Sequence, residues 1–153
     1  MKYPKEMRKF NFHLGKVKLL FTIDVVRRNA NQWNIPNDCI LLSDYTGKII
    51  KYDDKGTKLR ELRIPGKPSD ITKVDVLNVA VSTDSKQIHL INAETLTLIN
   101  TITSVETIYV LSFVDNTFIT SHRKTAYISW SDSAFKRLRT EKTHRNIFCT
   151  LRW

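Results

Sequence analysis

GKPSDITKVDVLNVAVSTDSKQIHLINAETLTLINTI, from Gly66 to Ile102, packs four short apolar runs between three turn signals. The expected strands are Pro68–Asp75, Val76–Thr83, Gln87–Glu94 and Leu96–Ile102. A polar kink at Val74-Asp75-Val76-Leu77-Asn78 divides the first pair, and Thr83-Asp84-Ser85-Lys86 is a turn cluster without apolar residues. Ala93-Glu94-Thr95 joins the last two runs. In the second run Leu77, Val79 and Val81 share one face, and Asn78, Ala80 and Ser82 share the other, the period of a pleated strand. No window repeats apolar residues at three and four. Val, Ile and Thr dominate instead, and their branched Cβ atoms lose χ1 freedom in a helix but suit a pleated surface.

The pattern recurs along the chain. Asp44-Tyr45-Thr46-Gly47-Lys48-Ile49-Ile50-Lys51-Tyr52-Asp53 aligns with Thr83 through Asn92 and with Ser121 through Trp130, at offsets of 39 and 38 residues. Apolar runs at Leu41-Leu42, Val79-Ala80-Val81 and Phe118-Ile119 precede the aligned turns. A period near 40 residues is that of a four-stranded propeller blade, about 40 to 45 residues long. The expected fold is therefore all-β: a partial β-propeller of three four-stranded antiparallel blades, at about 32–65, 67–103 and 107–142. Flanking strands are expected at 16–25 and 146–153, after a basic lead-in over 1–15 that is expected to be disordered. Propellers close with about four to eight blades, so three are expected to be a fragment, a truncated gene product or one part of an assembly, with stability drawn from missing blades or self-association.

Composition bounds the remaining readings. A chain of 153 residues makes one domain, and neither a membrane-spanning run nor a secretory leader is visible. Cys39 and Cys149 lie far apart in apolar runs, which indicates buried thiols in a reducing cytoplasm and no zinc pattern. The net charge is +10, with 8 basic and 2 acidic residues from Met1 to Arg28, 9 and 11 from Asn29 to Ser121, and 8 and 2 from His122 to Trp153. These cations alternate with apolar residues, the pattern of protected strand edges. The other reading is a surface for an acidic partner.

Catalytic residues do not assemble from the sequence. His13, His89, His122 and His144 are scattered; His89 lies between Ile88 and Leu90 on the opposite pleat face and is expected in solvent, and His122 is expected in a turn before Arg123-Lys124. Asp44, Asp53, Asp54, Asp70, Asp75 and Asp84 recur near turns, where a short carboxylate bonds the backbone. No metal, cofactor or membrane partner is expected, and enzyme activity is not.

Leu41-Leu42-Ser43-Asp44-Tyr45, Lys48-Ile49-Ile50-Lys51-Tyr52-Asp53, Gly66-Lys67-Pro68-Ser69-Asp70-Ile71-Thr72 and Ile88-His89-Leu90-Ile91-Asn92 resemble the C-terminal NHL-like propeller of tripartite-motif (TRIM) proteins, above all the expanded invertebrate E3 ubiquitin ligase set. The resemblance spans Leu19 to Ile102 and weakens beyond it, where Ser104-Val105-Glu106-Thr107 lacks a glycine before the next inner strand. RING, B-box and coiled-coil segments do not occur in this chain, so the resemblance implies a substrate- or partner-binding propeller without ligase chemistry. The alternative is RNA binding by the basic C-terminal strands: Arg123, Lys124, Arg137, Arg139, Lys142 and Arg145 line a basic face, and Tyr127 or Trp130 offers a stacking surface.

Overall fold

A computed structural model describes residues 39–122 and 127–142 in full and the backbone of 9–11, 16–18 and 31–35. Among the described residues every regular element is a strand. β1 (Lys9–Asn11) and β2 (Lys16–Lys18) form a two-stranded ribbon. Three four-stranded antiparallel sheets follow in sequence order. The first contains β3 (Asn31–Ile35), β4 (Cys39–Ser43), β5 (Lys48–Tyr52) and β6 (Lys58–Arg63). The second holds β7 (Pro68–Lys73), β8 (Asn78–Thr83), β9 (Gln87–Asn92) and β10 (Thr97–Thr103), and the third β11 (Ile108–Val114), β12 (Thr117–His122), β13 (Tyr127–Ser131) and β14 (Arg137–Lys142). These are three successive blades of a partial propeller.

Short side chains build the hairpins. Between the third and fourth strands Asp53, Asn92 and Asp132 each accept a backbone N–H two residues on, from Lys55, Glu94 and Ala134. Each turn then needs one left-handed residue, supplied by Gly56, Leu96 and Phe135. Leucine and phenylalanine pay about 1–2 kcal/mol for that conformation. Burial offsets it: Leu96 is 5% exposed and Phe135 packs on the core. Gly47 is constrained more tightly, since at φ +82° a Cβ would lie 2.7 Å from the Ile64 carbonyl oxygen.

The second sheet buries both faces of its inner strands. Leu41 and Ile49 of the first blade meet Ile71, Val79, Val81 and Ile91 of the second. On the second blade's other face Ala80 and Ile88 meet Ile108, Leu111 and Phe118 of the third. Burying one such side chain contributes about 1.5–3 kcal/mol, so these two seams dominate cohesion. Polar ties fix their alignment. Lys51, 8% exposed, donates from Nζ to the Glu94 carbonyl at 2.9 Å. Asp70 accepts from Ile71 N–H at 2.9 Å and, across the seam, from Leu111 N–H at 2.9 Å.

Several expectations change. The lead-in over 1–15 contains a strand, because Lys9–Asn11 pairs with Lys16–Lys18, Phe10 opposite Val17. Asp70 serves no turn; it stands within β7 and bonds the next blade. Asp115 and Asn116 both take positive φ, 48° and 59°, a two-residue type I′ hairpin in place of a simple Asx turn. Counted at the capping residues Asp53, Asn92 and Asp132, the third repeat is offset by 40 residues, not 38, which aligns Ser129 with His89. The expected strand at 146–153 lies outside the described residues, as does Cys149.

Because the Asp70 carboxylate is the polar link between two inner strands, Asp70→Ala should lower stability by about 1.5–3 kcal/mol. Urea unfolding followed by tryptophan fluorescence measures this. An unchanged midpoint would show that apolar packing alone aligns the second seam.

Candidate interaction surface

The two histidines inside the described structure occupy polar niches between strands. His89 is fully buried, contrary to the solvent position read from its pleat face. Alternation failed as a guide because both faces of this sheet are covered by neighbouring blades. Its Nε2 lies 3.3 Å from the Pro65 carbonyl and its Nδ1 3.0 Å from Thr101 Oγ1. A carbonyl only accepts, so Nε2 carries the hydrogen and Nδ1 accepts from the Thr101 hydroxyl. Burial holds this imidazole below its ordinary pKa, with the Pro65 bond opposing.

His122 ends β12 instead of standing in a turn, and its side chain is 5% exposed. Nε2 lies 3.3 Å from Ser129 Oγ and 3.4 Å from Thr120 Oγ1, while Nδ1 is 3.6 Å from Glu106 Oε2. Burial lowers its pKa; Glu106 pulls upward and Arg137 lowers it further. Carboxylate, imidazole and hydroxyl stand in the order of a hydrolytic triad. Ser129, however, is 3% exposed within the sheet, so a substrate carbonyl has no approach to Oγ. The cluster joins β12, β13 and the 104–107 connection as packing. Among the described residues no group of three or more His, Cys, Asp or Glu side chains could hold a metal ion.

The basic candidates divide. Arg123, Lys124 and Arg145 lie outside the described residues. Arg137, Arg139 and Lys142 are exposed along β14, and Tyr127 and Trp130 stand on β13. Arg139 stacks over the Trp130 ring, 4.0 Å from its centroid, and pairs with Glu141 at 3.0 Å. Trp130 thus already carries a stacked cation on one face, and the cation already has a carboxylate. A comparable set lies on the first blade, where Lys48 and Lys58 contact Glu61 at 2.9 and 2.6 Å and draw its pKa down to about 2.

Sequence reading missed a different grouping. Every outer strand carries a β-bulge at an equivalent place, with Leu59, Ile99 and Leu138 as the extra residues in the β5–β6, β9–β10 and β13–β14 ladders. All three are aliphatic and 48–60% exposed. They lie toward the end of the blades that also bears the hairpins after the inner strands, where Val76 is 63% exposed and Leu77 46%. The exposed Val114 and Leu98 belong to the same end. Recurrence of an exposed aliphatic residue 39 to 40 positions apart was the available signal, but a bulge is invisible to simple alternation.

The sequence matches no protein-family model and no curated protein. Solved structures do resemble the fold. A hydrazine synthase of Kuenenia stuttgartiensis superposes with a TM-score of 0.65 at 12% identity, over 74% of this chain and 35% of that one. The WD40 repeats of RRP9 and the structure of U3-55K each give a TM-score of 0.63 at 16% identity over 79% of this chain, covering 41% and 42% of theirs. The chain thus spans roughly two-fifths of the length of these solved chains, and the likeness establishes the propeller fold.

Both buried imidazoles have lowered pKa values, so the folded chain binds fewer protons than the unfolded one when the pH falls. Their stabilising contribution is complete above the unfolded histidine value of about 6.5 and is lost as pH drops through it toward the folded values. The urea midpoint should therefore decrease between about pH 7.5 and 5.5, and His122→Asn should flatten that slope. A midpoint that is level or rises on acidification would contradict the assignment.

Proposed function

We propose that this chain is a protein-interaction module that recognises its partner through the apolar-rich end of the blades. The observation that carries the reading is the equivalent placement of Leu59, Ile99 and Leu138, exposed on three successive bulges, beside the exposed hairpin residues Val76 and Leu77. Exposed apolar groups gathered on a rigid scaffold favour contact with another protein surface. Likeness to WD40 propellers supports the same class of role. The resemblance to the TRIM-type propeller extends it: the partner is a ubiquitination substrate, presented to ligase chemistry located outside these residues. Cys39, a buried thiol, accords with a cytoplasmic setting.

RNA binding is the second reading, and the Arg139–Trp130 stack is the observation in its favour. Phosphate-driven affinity would fall steeply between about 50 and 200 mM salt. Glu141 and the alternation of charge along β14 work against it.

Leu77→Lys combined with Leu138→Lys should abolish recovery of partner proteins by the tagged full chain, while the urea midpoint stays close to wild type. Undiminished recovery would sink the apolar-end reading. In parallel, labelled single-stranded RNA should show no salt-dependent binding that Arg139→Ala removes. If such binding appears, the RNA reading replaces the first.

A further inference from the structure

The three outer strands have the same place, the same bulge and the same exposure, but their chemistry differs. β6 reads KLRELR and β14 reads RLRTEK, each with four charged residues among six. β10 reads TLINTIT and has none among seven. Six of its residues are exposed and Ile102 is partly buried. In the second sheet β10 is the terminal strand, paired on one side to β9. Its other side presents alternate backbone N–H and C=O groups that no strand among the described residues meets.

Charges on an edge are the ordinary protection against strand addition, and the bulge is a second device. All three outer strands share the bulge, so it does not distinguish them. Only β10 lacks the charges. The inner edge strands β3 and β11 are uncharged too, but both lie against β7 of the second blade, and Leu111 N–H of β11 donates to the Asp70 carboxylate there.

We propose that β10 is an edge for a second copy of this chain, two β10 strands pairing antiparallel across a two-fold axis. Antiparallel pairing brings the middle residue of the strand, Asn100, next to its own counterpart, and nowhere along β10 does charge face charge. The same pairing of β14 would set Arg137 against Lys142, like charges that destabilise a ladder, and that of β6 would set Lys58 against Arg63, a repulsion that Arg60 against Glu61 offsets. In a chain of net charge +10, two copies repel unless they approach along a neutral line. A seven-residue edge buries well below the roughly 800 Å² per partner of a tight complex, so the association is weak and concentration-dependent. It stops at two chains, because pairing consumes the edge. β10 also contributes Leu98 and Ile99 to the partner-binding end, so self-pairing and partner recognition share this strand.

Sedimentation equilibrium of the full chain from about 10 µM to 1 mM should show the mean mass rising from one chain toward two. Asn100→Lys should hold it at one chain, as should Asn100→Glu, because each places like charges at the axis. An equimolar mixture of the two variants should restore the two-chain species. Thr140→Lys, on the charged β14, should leave self-association unchanged. The proposal is overturned by a wild type that stays single throughout, by association that continues past two chains or ignores Asn100→Lys, or by a mixture that fails to reassociate.

Discussion

Burial on both sides of the second sheet is the constraint from which the rest of this structure follows. An antiparallel sheet with one wet face needs only one apolar side; a propeller blade needs two, and its neighbours supply both covers. The second blade shows this most fully, with Val79, Val81 and Ile91 toward the first blade and Ala80 and Ile88 toward the third. A polar residue within such a sheet has no route to water and must find its partner inside the protein. His89 between Pro65 and Thr101 does so, and so do Lys51 against Glu94 and Asp70 against Leu111.

The same constraint separates what the sequence reveals from what it hides. Turn residues act locally, so Asp53, Asn92 and Gly47 announce the hairpins and the period without knowledge of the fold, and the three blades were legible from them. Exposure is not local. Alternation assigns a residue to a face but cannot tell whether the face is wet, which is why His89 was misplaced. A bulge changes the face count by one residue with little compositional mark, so Leu59, Ile99 and Leu138 were not recognised as equivalent. The Arg139–Trp130 contact follows from cross-strand pairing and was anticipated only as a mixture of cations and aromatic rings.

Backbone conformation is repeated more faithfully than side-chain identity. Gly47 and Lys86 both take positive φ, and each offers its carbonyl to the connection entering the next blade, at Ile64 N–H and Ser104 N–H. The connection and the hairpin are clamped in the same manner in both blades although glycine is replaced by lysine. Asp84 adds a second clamp, since its carboxylate and its backbone N–H both engage Lys67. Propellers can therefore diverge strongly in sequence while these few main-chain bonds hold the spacing of the blades.

Lys51 illustrates a consequence of burying a long cation in a seam. Its ammonium group is held against a carbonyl of the neighbouring blade and is 8% exposed, whereas Lys55, Lys58 and Lys86 stand in solvent. Reagents and enzymes that acylate amines need room for the attacking geometry, which Lys51 lacks while the blades are together. Its reactivity is thus a built-in gauge of whether the first two blades are joined, read at a single nitrogen.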